Sequence, residues 1–290
     1  MKLVKLKVPF SEKEFSLKGS SNDKSILNPI ELKEYYSPHI MNLLKNILKP
    51  NTISLDIGAN IGIISLVLSF LSPEGKVYSF EPASENFYYL EQNIILNEAK
   101  NIKPIKLAAY DQKKTIPISY VDFGGGWSFI SNNRDKQFFT LMESYFGKEW
   151  VKQLNMNQKQ LVEEFIDCVT LDDWISNTHI KHLDLIKLDV EGSELKVLKG
   201  AQTCISKFKP DLIVEFNPKV YDILYEEDPK NLYSMLNNIY PTIYSIGYDD
   251  TLEEIKSFEH LQKCVKKGRR QLLDLYCTYK TKIELKDVRI

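Results

Sequence analysis

The sequence of 290 residues predicts an α/β protein, a mostly parallel sheet covered by helices on both faces. Three observations carry that prediction. From Thr52 onward, short apolar runs alternate with stretches whose apolar residues recur at helical spacing, the pattern of repeated strand–helix–strand units. The first run, Thr52–Asp56, ends in an acid and leads into a turn holding Gly58 and Gly62, at the strand end where open α/β sheets bind ligands. The charge is nearly balanced, 38 basic against 39 acidic side chains, with four arginines against 34 lysines. That balance excludes a binder held on nucleic acid by bulk positive charge.

The elements follow in order. Residues 1–30 are polar and irregular and predict a loose extension or an edge strand. Ser37-Pro38 reads as a helix start, a hydroxyl cap followed by proline at the first helical position. Ile40, Leu43, Leu44, Ile47 and Leu48 then give one apolar face, and Pro50 closes the helix. Residues 1–50 therefore form an N-terminal extension with a capping helix, and residues 51–290 form the main domain. After the glycine turn come a helix over Ile61–Leu71, a strand over Lys76–Glu81, a helix capped by Ser84 and a third strand over Ile102–Ala109.

A strand over Thr115–Tyr120 precedes a break in the rhythm. Residues 121–165, polar and helix-prone, read as an insertion whose Gly124-Gly125-Gly126-Trp127 run suits a lid or an exposed turn. Insertions at the ligand edge of such a sheet carry specificity, so this one is expected to form part of the acceptor site. The alternation resumes with strands at Ile166–Leu171, Leu183–Asp189 and Asp211–Glu215. Pro241–Ile246 and Leu272–Tyr279 close the sheet as an edge pair.

No apolar run reaches the roughly 18–20 residues of a membrane helix. The lysine-broken N-terminus lacks the apolar core of a secretion signal. Cys168, Cys204, Cys264 and Cys277 are widely spread with no CxxC pair, which predicts reduced, buried thiols in a cytoplasmic protein and argues against a zinc site.

The turn Asp56-Ile57-Gly58-Ala59-Asn60-Ile61-Gly62 is expected to bind a nucleotide-like cofactor. Its glycines would admit a ligand close to the backbone, and the following helix would offer unpaired N–H groups. Glu81 ends the next strand at about the offset from which a carboxylate accepts hydrogen bonds from a ribose diol. The nicotinamide fingerprint fails, because Asn60 occupies its second glycine position. Asp56 would also repel a pyrophosphate. A phosphate-free sulfonium cofactor with an amino group, S-adenosylmethionine, suits that acid better than NAD.

These residues resemble the FkbM-type S-adenosylmethionine-dependent methyltransferases. The resemblance rests on Ser54–Ser65, Tyr78–Pro82, Val169–Trp174, Ile186–Gly200 and Leu212–Phe216, with a less specific match at Tyr36-Ser37-Pro38. It implies a Rossmann-like seven-strand methyltransferase fold with the last strand antiparallel, and O-methylation of a sugar or natural-product hydroxyl. It also implies that Asp56, Gly58, Ala59, Asn60 and Gly62 line the methionine end of the cofactor. Glu81 would then hold the ribose hydroxyls, Ala108 or Ala109 and Asp111 would lie near the adenine, and Pro82 and Tyr36 would join the cofactor site.

The chemistry is sought in the acids at the strand ends. Lys187 and Asp189 are two apart in an apolar strand and face one side. A lone buried lysine costs on the order of several kcal/mol, so it needs a carboxylate or an open cavity. Methyl transfer to a hydroxyl needs its proton removed. Asp189, Glu191 and Glu215 could accept that proton, or together hold a Mg2+ ion that acidifies the hydroxyl. Asp189 could equally serve only to pair with Lys187. Methylation of nitrogen is an alternative, though Asp189-Val190-Glu191-Gly192 lacks the motif of the amino-directed enzymes. A degenerate fold that only binds is a second. The acceptor is expected to be a small molecule or glycan, with no nucleic acid and no membrane span.

Overall fold

The lysines that interrupt the N-terminal apolar run also set a period of two. The computed structural model describes residues 1–23, 25–33, 36–121, 128–131, 134–153, 161–268 and 271–280. In it β1 (Lys2–Lys7) pairs antiparallel with β2 (Glu14–Gly19). Val4, Leu6, Phe15 and Leu17 point inward, while Lys5 faces solvent. The hairpin is therefore not a loose extension. Its inner face shares one apolar core with α1 (Leu27–Lys33), with α2 (Pro38–Ile47), and with Leu185, Ile213 and Tyr276 of the main sheet. Ser37, ahead of α2, does not cap it. The residue stands in the left-handed region at φ 43° and its hydroxyl makes no capping bond. The following proline keeps it out of the right-handed helical region.

The strand–helix rhythm then runs as predicted: β3 (Ile53–Ile57), α3 (Ile63–Leu71), β4 (Lys76–Phe80), α4 (Ser84–Leu96) and β5 (Ile102–Ile105). Ser84 is the first helical residue rather than the cap, and its hydroxyl bonds Glu164 instead. The expected third strand divides. Leu107 N–H turns back onto the Ile105 carbonyl at 3.0 Å, and the chain leaves the main sheet. It enters a second sheet as β6 (Ala108–Ala109), β7 (Lys114–Val121) and β8 (Ser128–Ile130). Helices α5 (Asp135–Phe146) and α6 (Lys148–Gln153) follow, and β9 (Leu161–Val169) returns to pair with β6 and β7. The expected strand at Ile166–Leu171 thus belongs to this small sheet, in the order β6-β9-β7-β8. The glycine run at 124–126 lies outside the described residues.

After α7 (Leu171–Ser176), capped by the Thr170 hydroxyl, the chain re-enters the main sheet at β10 (Leu185–Leu188). It continues through α8 (Glu194–Lys199), α9 (Gln202–Phe208), β11 (Asp211–Phe216) and a π-helical segment over Val220–Tyr225. The last elements are α10 (Lys230–Ile239), β12 (Thr242–Ile246), β13 (Leu252–Glu254), α11 (Phe258–Lys267) and β14 (Leu273–Thr278). The main sheet has the order β13-β12-β14-β11-β10-β3-β4-β5. Strands β3, β4, β5, β10 and β11 are parallel, and β14 is antiparallel between β11 and β12. This is the expected methyltransferase sheet with one strand more, because a tight turn held by Asp249 and Thr251 folds β13 onto the edge. Among the described residues no helix is long and apolar enough to cross a membrane, and all four cysteines are free and buried.

Leu17 is fully buried between the hairpin and the main body. Leu17→Ala is expected to lower unfolding stability by about 2–5 kcal/mol in urea denaturation, the range for a large-to-small core change. A detached extension would move it by less than about 0.5 kcal/mol.

Candidate functional site

A cavity of about 790 Å³ opens over the carboxyl ends of β3, β4, β10 and β11. Residues of α1 and Tyr36–Ile40 line one side of it, and the inner face of the small sheet lines another.

Its first end is the glycine turn. There the expected free N–H groups are already used. Gly58 and Ala59 N–H donate to the Phe80 carbonyl at 3.0 and 2.9 Å, and Asn60 N–H donates to Glu81 at 2.9 Å. Ile61 N–H donates to Asn60 Oδ1 at 2.8 Å. The turn therefore offers no anion cradle. Its glycines serve the protein as much as a ligand. Gly58, at φ +82°, would carry a Cβ only 1.8 Å from the Asp189 carbonyl oxygen, and Gly62, at φ +91°, would press on Leu90.

Two acids stand at this end. The Asp56 carboxylate accepts Ser65 Oγ at 2.5 Å, and burial raises its pKa to about 6 against that bond. Glu81 accepts Asn60 N–H and Ala83 N–H, one on each oxygen, both at 2.9 Å. Burial raises its carboxyl to about 7, opposed by those bonds. Glu81 also accepts a side-chain hydrogen bond from Asn86, and it lines the cavity.

The second end gathers around one buried ammonium. Lys187 Nζ lies 3.2 Å from Asp189 Oδ2, and the lysine side chain is 5% exposed. On β10 its backbone sits opposite Asp56 of β3. Burial would push this lysine's pKa down. Asp189, then Asp274, Glu215 and Asp56, outweigh that and raise it. Glu215 and Glu191 are half-buried, and both are pushed well up, first by burial and then by Asp189 and other carboxylates. Tyr36 lines the same cavity, and its hydroxyl is pushed up by burial first and then by Asp189, Glu215 and Asp274. Glu194 has a structural part. It accepts Val190 N–H, Gly192 N–H and Tyr221 O–H, and so fixes the turn that carries Glu191 in the left-handed region at φ 52°.

Of the candidate site residues, Tyr36, Asp56, Gly58, Ala59, Asn60, Glu81, Pro82, Ala109, Lys187, Asp189, Glu191 and Glu215 line one cavity. Gly62 and Asp111 do not line it. Gly62 packs on Leu90, and Asp111 faces Lys196 Nζ at 3.6 Å. Among the described residues the ligand atoms of Asp189, Glu191 and Glu215 are not gathered within 4.8 Å of one another, so the Mg2+ expectation finds no preformed cage. Sequence reasoning missed His39, Asn217 and Asp274. His39 Nε2 meets Asp274 Oδ2 at 3.1 Å, and Asn217 Oδ1 accepts the Tyr145 hydroxyl at 2.6 Å. An acid inside the apolar run Leu272–Leu275 was the available signal for Asp274. His179 and His182, close together in the sequence ahead of β10, lie outside the cavity, and His182 pairs with Asp184.

A family model described as the methyltransferase FkbM domain matches residues 56–248, two thirds of the sequence. The chain belongs to the FkbM methyltransferase family. It is 28% identical over 178 residues to methyltransferase sdnD of Sordaria araneosa, covering 58% of this chain and 66% of that one. It is 25% identical to 2-O-methyltransferase NoeI of Sinorhizobium fredii, covering 58% and 63%. It is 27% identical to 31-O-demethyl-FK506 methyltransferase FkbM of Streptomyces tacrolimicus, covering 53% and 61%. The chain spans less than two thirds of the length of each of these relatives. Membership in the FkbM family implies S-adenosylmethionine as the methyl donor. The site fits that molecule, since a turn with its N–H groups spent and an acid at its base is unsuited to phosphate.

Glu81 sets a pH test of this FkbM-family site. Its folded pKa of about 7 stands above the ordinary carboxyl value, so the native state keeps a proton that the unfolded chain has released. Its contribution to stability is complete below the ordinary value and is lost as pH rises toward 7. Without cofactor, the wild type is expected to lose on the order of 2 kcal/mol more than Glu81→Gln between about pH 4.5 and 7.5. Urea denaturation at the two pH values measures the difference. Parallel losses would mean that Glu81 ionises as an ordinary carboxyl.

Proposed function

We propose that the protein transfers a methyl group from S-adenosylmethionine to a hydroxyl of a glycan or small natural product. One observation carries the reading. A single cavity joins the glycine turn and Glu81 to the carboxylates around Lys187, and Asp189 stands where the two ends meet. The Asp189 carbonyl abuts Gly58 of the turn, and its side chain reaches Lys187.

In this reading Glu81 accepts the ribose hydroxyls, and Asp56, Ala59 and Asn60 hold the methionine end. When bound, the cofactor supplies an electrophilic methyl group. Asp189 takes the acceptor's proton. Lys187 occupies its Oδ2, so Oδ1 remains to meet a hydroxyl. Glu215, Glu191 and Asp274, with Tyr36 and Asn217, orient the acceptor's polar end. Ile116, Ile118, Phe129, Ile130 and Ile166 form an apolar wall suited to a carbon skeleton or the face of a sugar ring. Phe129 and Ile130, the two wall residues that the insertion contributes, support an acceptor role for it. Relatives named as 2-O- and 31-O-directed enzymes support oxygen as the target. The balanced charge supports an acceptor other than nucleic acid, and four buried free thiols support a reducing, cytoplasmic setting.

Calorimetric titration with S-adenosylmethionine and S-adenosylhomocysteine is expected to show binding that weakens at least about tenfold in Glu81→Ala, the loss of roughly 1.4 kcal/mol or more. No binding by folded wild-type protein would overturn the reading. With sugar and natural-product acceptors, Asp189→Asn is expected to lower kcat by about 10²–10⁴, the range for loss of a general base, while cofactor affinity holds. Release of S-adenosylhomocysteine is the readout, and an unchanged kcat would remove Asp189 as the base.

A further inference from the structure

At the far edge of the main sheet, away from the cavity, three chemically different ligand groups converge. Glu253 lies in the middle of β13 and is exposed. His260 is the third residue of α11, where its N–H is held by the capping hydroxyl of Ser257 at 3.1 Å. Cys264, one turn further on the same helix face, is 5% exposed. Their ligand atoms all lie within 4.8 Å of one another, and among the described residues no other group of three is so placed. His260 Nε2 already contacts Glu253 Oε1 at 2.9 Å. None of the three lines the active-site cavity.

We propose that Glu253, His260 and Cys264 form a zinc site. A sulfur, a nitrogen and an oxygen donor suit a borderline cation such as Zn2+, and not the hard, oxygen-seeking Mg2+ or Ca2+. With metal–ligand bonds of about 2.0–2.3 Å, tetrahedral ligand atoms stand roughly 3.3–3.8 Å apart, a small side-chain adjustment from the observed cluster. Three protein ligands leave the fourth position to water. The sequence conceals the site because its His-x-x-x-Cys pair is completed only by a residue from the neighbouring strand.

Protons balance as follows. The thiol loses its proton to solvent as the zinc–sulfur bond forms. Neutral His260 binds through Nε2 and carries its proton on Nδ1. It gives up the 3.3 Å bond that Nδ1 accepts from Lys256 N–H, which is already long for a hydrogen bond. Glu253 exchanges its hydrogen bonds from His260 and Cys264 for the metal. The ion would then pin the edge strand to α11.

The test uses the full chain stripped of metal. Zinc titrated against a chromophoric chelator is expected to bind at one ion per chain, and about tenfold or more weaker in both Cys264→Ser and His260→Ala. Co2+ in place of zinc is expected to give a thiolate-to-metal charge-transfer band that Cys264→Ser and His260→Ala both lose. If a variant fails to fold, the wild-type Co2+ spectrum decides alone. No zinc binding, a Co2+ spectrum without the thiolate band, or variants that bind as the wild type, an adventitious ion only, would each overturn the site.

Discussion

The ammonium of Lys187 is the charge around which the cavity is arranged. It sits in a central strand with almost no exposure, beside Asp189 and within electrostatic reach of Asp56, Glu215 and Asp274. Burial first, and then repulsion from Asp189 and the neighbouring carboxylates, makes Glu191 and Glu215 hold their protons more tightly. The lysine lets the others be gathered at one sheet edge without prohibitive repulsion. Its place in β10 is fixed by register, with Asp56 directly across on β3. One strand position thus ties the glycine-turn end of the cavity to its acidic end.

The glycine turn is equally constrained from within. Its N–H groups pair with Phe80, Glu81 and Asn60, and Gly58 is packed against the Asp189 carbonyl. A dinucleotide turn keeps such groups for phosphate. This one has given them up, and it keeps carboxylates where a sulfonium ion and an amino group are welcome.

Much of this was legible in the sequence. The parallel core could be read because its strands and helices differ in period, and its site acids could be read because they end strands. The N-terminal hairpin was misread because its lysines look polar one by one, although Val4 and Leu6 alternate with them. The small sheet was missed because β6 is two residues long and β9 exposes Val162 and Phe165. His39 and Asp274 meet only in the fold. They come from α2, just ahead of the main sheet, and from its last strand in sequence, β14, 235 residues apart. No local spacing encodes that contact.

The short β6 has a consequence for how such enzymes can diverge. It lies beside the end of β9, Ala108 against Cys168 and Ala109 against Val169, so the chain leaves the main body and returns to it at one doorway. Everything between those two points is a loop in the topological sense, however much structure it contains. Its ties to the main body beyond that doorway are side-chain ones, Tyr145 on Asn217 and Glu164 on Ser84, with Phe129 and Phe138 packed on Val220 and Leu224. The segment is a cassette in the topological sense, and a foreign one joined at Ala109 and Cys168 would face the same glycine turn and the same buried lysine with a different wall, provided it replaced those ties.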